Sequence, residues 1–147
     1  MITSAFVASG LLLVVAVGCV GPTVGVVDGS LRACPSSPNC VCSEVEPGGF
    51  ARVEPFAVPE GVDTADAFAR LRDLVAERAT IETREPGYLH AVFKSRLMRF
   101  RDDFEARLVP EDRLIHVRSA SRLGYSDLGV NRRRVEQLRE AYEAAIR

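Results

Sequence analysis

Residues 100–119 read FRDDFEARLVPEDRLIHVRS: two alternating runs either side of Pro110-Glu111-Asp112. Alternation with a period of two places every second side chain on one face of a strand. A two-residue turn at Glu111-Asp112 sets Leu108 against Ile115, Ala106 against Val117 and Glu105 against Arg118. Apolar pairs then share one face, and an opposite-charge pair lies on the other. The stretch commits the chain to an antiparallel hairpin with one apolar face.

The rest of the chain supplies partners for that face. Val53 to Val58 reads as a strand interrupted by Pro55, which suits an edge. Asp63 or Thr64 opens a helix with Phe68, Leu71, Leu74 and Val75 at helical spacing. Ala79–Glu85 is a strand, Pro86-Gly87 a turn, and Tyr88–Lys94 alternates, with Leu89, Ala91 and Phe93 on one face. Phe100, Phe104, Ala106 and Leu108 share a face of the next strand. A last helix begins near Asn131, with Val135, Leu138, Tyr142 and Ala145 or Ile146 as its apolar stripe. The order β-α-β-β-β-β-α predicts an α+β fold, an antiparallel β-sheet with two helices packed on one face. At 147 residues and 47% hydrophobic content, one domain with a real core is expected.

The N-terminus carries an address. Ala5 to Val17 is apolar and uncharged, then Ala16-Val17-Gly18-Cys19 resembles the lipobox of bacterial lipoproteins, whose cysteine is lipidated. The run is short for a membrane-spanning helix, which needs about 20 residues, and suits the central region of a signal peptide. No Lys or Arg precedes it, so an uncleaved anchor and a free secreted product stand as alternatives. The expected division is a signal peptide or anchor over 1–18, a tether over 19–33 and a domain over 34–147. All three readings put the domain outside the cytoplasm, the first two on a membrane.

Cysteine usage agrees with that compartment. Cys34-Pro-Ser-Ser-Pro-Asn-Cys40 is a short loop, and a Cys34–Cys40 disulfide is its natural reading, with Cys42 as a competing partner or a free thiol. A metal site needs four ligands; His90 and His116 lie far along the chain, so neither metal nor cofactor is expected. The net charge of -1 gives no basic field for nucleic acid.

The least generic stretch is 116–134, HVRSASRLGYSDLGVNRRR. It sets Arg118, Ser119, Ser121, Arg122, Asp127, Asn131 and Arg132 between a strand and a helix N-terminus, where free N–H groups and arginines suit an anion or a partner protein. The structural alternative has Asp127 or Asn131 capping the helix, and Arg118 and Arg122 pairing with Glu105, Asp102 or Asp103. Asp102 falls on the apolar face, so it needs a bulge that turns it outward, a buried pair with Arg118 or Arg122, or a role as a tuned acid.

Three blocks, CPSSPNCVCSE, RFRDDFEARL and IHVRSASRLGYSDLGVNRRRVEQLRE, together resemble the DUF1499 family (domain of unknown function 1499) over residues 32 to 146. The resemblance implies an exported or membrane-attached protein. It supports Cys34–Cys40 as the disulfide, since the family usually shows Ser where this chain has Cys42. It implies no activity. The expected function is an envelope-anchored binding or structural module with an arginine-rich site for an anionic ligand or envelope protein. The alternative is a hydrolase-like enzyme using Asp102 or Asp103 with His116 and Arg118.

Overall fold

The computed structural model describes residues 23–46, 48–95 and 100–147. The N-terminal address, including Cys19, lies outside the described residues. In chain order the elements are β1 (Val26–Val27), β2 (Ser30–Leu31), β3 (Cys40–Cys42), β4 (Phe56–Ala57), α1 (Thr64–Ala76), β5 (Thr80–Glu85), β6 (Tyr88–Lys94), β7 (Arg101–Val109), β8 (Leu114–Ser121) and α2 (Val130–Ala145). The expected order is recovered from β4 onward, and three short strands precede it.

The main sheet runs β3-β8-β7-β6-β5, with β4 beside β3 on the outer edge of β8. Every pairing between these strands is antiparallel. The β7–β8 register is the expected one: Leu108 faces Ile115, Ala106 faces Val117 and Glu105 faces Arg118. The turn closes with Arg113 at φ 53°. That strained backbone is held in place by its own guanidinium, which donates to the carbonyls of Val58 and Val62. Between β5 and β6, Gly87 takes φ 76°, the conformation that the two-residue turn requires.

The ladder runs unbroken through Asp102 and Asp103, which pair with Phe93 and Val92 on one side and with Ser121 and Ala120 on the other. There is no bulge here, contrary to one expectation. The two carboxylates therefore point to opposite faces of the sheet.

One face carries the core. Leu89, Ala91, Phe104, Ala106, Ile115 and Val117 meet Phe68, Leu71 and Val75 of α1 and Val135, Leu138 and Tyr142 of α2. Burying each leucine or isoleucine is worth about 1.5–3 kcal/mol. Asp63 caps α1, accepting from the N–H groups of Ala65 and Asp66 at 2.9 and 3.0 Å. The opposite face is polar, with His90, Asp103, Glu105, Arg107, His116 and Arg118 side by side.

That polar face is not bare. The hairpin β1–β2 lies across it, with Leu31 only 4% exposed. Gly25 N–H donates to Glu105 Oε1 at 2.6 Å and Leu31 N–H to Glu44 Oε2 at 2.7 Å. The segment expected as a tether is thus, over its described residues 23–33, a strap on the sheet. The reason is electrostatic: a buried carboxylate needs donors, and the strap's backbone supplies them. Among the described residues, no helix is long and apolar enough to cross a membrane.

Candidate functional site

The segment after β8 is built around Asn131, which is fully buried. Its position is four residues before Val135, so it continues the apolar stripe of α2 into the sheet. Asn131 Nδ2 donates to the carbonyl of Asn39 and to Ser121 Oγ, both at 3.0 Å. Asn131 Oδ1 accepts from Ser119 Oγ at 2.6 Å and from Arg134. The Asn39 side chain in turn donates to the carbonyl of Gly124 at 2.6 Å, and Ser121 N–H donates to the Asn39 carbonyl. One amide therefore joins the cysteine loop, β8 and α2.

The cysteine loop is closed by the Cys34–Cys40 disulfide, with Cα atoms 5.6 Å apart. Cys42 is a free, buried thiol. Burial pushes its pKa up, so it stays protonated and is a poor nucleophile.

Asp127 caps α2 from outside the helix. Its two oxygens accept from Gly129 N–H and Asn131 N–H at 2.9 and 2.7 Å. Gly129 at φ 78° provides the bend between them. Of the two residues expected as caps, Asp127 serves and Asn131 is instead the buried hub.

Each arginine of the segment has an internal partner. Arg118 donates to Glu105 at 2.8 Å; that carboxylate is fully buried and also accepts from Tyr88 Oη at 2.8 Å. Arg122 donates to both oxygens of Asp103, at 3.0 and 2.7 Å, and His90 Nε2 donates to Oδ1 at 2.7 Å. Arg132 reaches across to the carbonyls of Arg52 and Phe50. Asp102 does form a buried pair, but with Arg134 at 2.5 Å rather than with Arg118 or Arg122. Arg134 also stacks over Phe93, 4.7 Å from the ring centre. Arg134 was invisible as a site residue because its spacing puts it at the border of the α2 stripe; Asn131 could have been found from its place on that stripe.

The seven candidate residues thus divide. Ser119, Ser121, Asp127 and Asn131 meet at one junction on the helix face, Arg118 and Arg122 lie on the polar face, and Arg132 holds the loop at 50–52. The hydrolase geometry does not assemble either. Asp102 is on the helix face, away from His116 and Arg118. Asp103 shares their face, but its two oxygens are held by Arg122 and His90, and Arg118 is held by Glu105. His116 Nδ1 lies 3.1 Å from Ser43 Oγ, and burial holds its pKa below the ordinary histidine value. A groove of about 630 Å³ between α1 and the β5–β6 turn, lined by Phe68, Arg72, Arg84, Tyr88 and Leu108, contains none of the candidates.

Two outcomes test this assignment of roles. Arg122→Ala leaves the buried Asp103 with His90 alone, which costs about 1–3 kcal/mol. The expected fall in melting temperature is about 5 °C or more; an unchanged melt would free Arg122 for a ligand. The second concerns acid. Burial, the largest influence on Asp103, opposes its ionisation, yet the hydrogen bonds from His90 and Arg122 outweigh it and hold the carboxyl below the usual aspartate value. A depressed carboxyl stabilises the fold fully above the unfolded value of about 4 and loses that contribution as pH falls through the folded value. Urea midpoints should therefore fall more steeply below about pH 4 in the natural chain than in Asp103→Asn; equal slopes would remove Asp103 from the acid response.

The fold and this junction define an α+β domain whose signature polar residues are spent on internal staples. The family model described as "Protein of unknown function (DUF1499)" matches residues 30–142, and the chain belongs to that family. Among curated proteins, none matches the chain.

Proposed function

We propose that the chain is an exported, membrane-held binding module, anchored through Cys19, and that it acts through its surface rather than by catalysis. The observation that carries this is the saturation of the 118–134 segment. Its serines, its arginines and Asp127 are engaged by internal partners, so they hold a shape, and among the described residues they leave no convergent acid, base and nucleophile. What the shape presents is the loop between β8 and α2, where Leu123, Tyr125 and Leu128 are 72, 76 and 84% exposed. The Cys34–Cys40 bridge, built into the same junction, supports an oxidising compartment.

Mass spectrometry of the mature protein from the membrane fraction tests the anchor. The expected mass lacks residues 1–18 and carries a diacylglyceryl group on Cys19. An unlipidated chain that still begins at Met1 sinks the lipoprotein reading.

A further inference from the structure

Eight large apolar side chains are exposed among the described residues, and five of them, Phe100, Leu123, Tyr125, Leu128 and Val130, belong to one end of the sheet. The adjacency is direct: Arg122 N–H donates to the carbonyl of Arg101, which joins the loop after β8 to the start of β7 beside Phe100. Soluble surfaces seldom gather such residues without use. Leu128 is the sharpest case. It is 84% exposed and holds φ 53°, a conformation that strains a leucine and suits Asn or Gly. Neither the fold nor the solvent favours leucine there.

The charges around this tip are basic. Arg101 and Arg133 are exposed, whereas Arg122 at the loop's start is paired with Asp103. The nearby Asp127 has both oxygens taken by backbone N–H groups. Tyrosine and leucine flanked by arginine suit the boundary between lipid headgroups and acyl chains.

The N-terminal segment reaches the polar face over the middle of β7, where Gly25 N–H meets Glu105, four residues from Arg101. Thr23 lies in a shallow pocket with Arg32 and Ala33, and Arg32 donates to the carbonyl of Val24. Cys34 follows, bonded to Cys40, which pairs with Ala120 just before the loop. From Cys19 to Val24 the chain can span at most about 18 Å. An anchor at Cys19 therefore holds the domain within a short reach of the bilayer, and the apolar, basic tip is the end suited to meet it.

We infer that Phe100, Leu123, Tyr125 and Leu128, with Arg101 and Arg133, dock the domain onto the surface of a bilayer containing anionic lipid. This rests on the membrane-held reading above and adds which face meets the membrane. The sheet then stands end-on, with the β7–β8 turn and the groove beside α1 directed away from the lipid.

The chain has no tryptophan, so one introduced residue reports alone. The full chain is reconstituted in phosphatidylglycerol-phosphatidylcholine vesicles as either Tyr125→Trp or Glu111→Trp, the latter at the opposite end of the sheet. Flotation first shows that the chain is on the membrane. The Tyr125→Trp emission should then shift to the blue and lose roughly half its intensity to lipids brominated about 5–10 Å below the headgroups. The Glu111→Trp emission should do neither. Adding Leu128→Asn should return the emission toward that of water without lowering the melting temperature. Replacing Arg101 or Arg133 by Gln should weaken the dependence on anionic lipid about fivefold each.

Equal, weak quenching of both probes in floated protein overturns the docking and leaves the anchor standing. A blue shift without bromine quenching means that protein covers the tip, a second copy included, and overturns it too. A chain that does not float overturns the anchor reading, and the docking falls with it.

Discussion

Asn131→Ala should lower stability by about 3–5 kcal/mol, the upper range for a single substitution. The side chain is fully buried and joins four groups: the Asn39 carbonyl, Ser121 Oγ, Ser119 Oγ and Arg134. Alanine removes one side of each interaction and leaves a space too confined for bulk water. An unsatisfied buried polar group costs about 1–3 kcal/mol, and relaxation recovers part of the sum. Asn131→Asp should be as damaging, because the amide donor facing the Asn39 carbonyl becomes an acceptor. Urea unfolding should show a lower midpoint with an unchanged slope, and a melting temperature reduced by about 10 °C or more. Ser126→Ala, on the exposed part of the same loop, should leave both within error. A loss under about 1 kcal/mol for Asn131→Ala would mean that the junction is not what holds the cysteine loop to α2.

The second large effect belongs to Glu105. This carboxylate is fully buried and accepts from Arg118, Tyr88 and the Gly25 backbone. Glu105→Gln leaves the Arg118 charge buried without its counter-ion, at a cost of about 3–5 kcal/mol. The strap should loosen as well, since Gly25 loses a charged acceptor. Hydrogen exchange at residues 25–31 should therefore quicken beyond the global change. Glu105→Leu combined with Arg118→Met should recover most of the stability, because replacing both members of a buried pair by apolar groups is often neutral. If the double variant is no better than the single ones, the pair does more than neutralise itself. Arg118 Nε, buried without a hydrogen-bond partner among the described residues, is where such an extra role would show.

Both outcomes bear on how the signature segment is read. A cluster of arginine, serine and asparagine at a helix N-terminus suggests an anion site in sequence. In space, each of these side chains has an internal partner, although Arg118 Nε itself has none among the described residues, and apolar side chains between them are turned outward. The pairing Glu105–Arg118 was legible because the two residues face each other in the hairpin register. Arg122 with Asp103 was one of several legible choices. Arg134 with Asp102 was not, because it joins a helix to a strand 32 residues earlier.

The short strands divide in the same way. The strand expected at Val53–Val58 survives as two residues, Phe56–Ala57, pairing with β8. β3 lies inside the cysteine-rich block, where three residues are too few for an alternation to show. The β1–β2 strap has no local apolar face of its own beyond Leu31, so its place depends on the carboxylates beneath it.

What the sequence determined by itself was local. Period-two alternation and a short turn set the β7–β8 register, and helical spacing set the two apolar stripes. The short loop made Cys34–Cys40 the natural disulfide, with Cys42 as its competitor until the family resemblance favoured the pair. Each depends on residues close in the chain, where pattern and geometry coincide. Only the tertiary structure decided which carboxylate each long arginine meets, that the strap covers the polar face, and that Asn131 binds the Asn39 carbonyl 92 residues away. Those choices follow from the desolvation of charges brought together by the packed sheet, and no short window of sequence contains both partners.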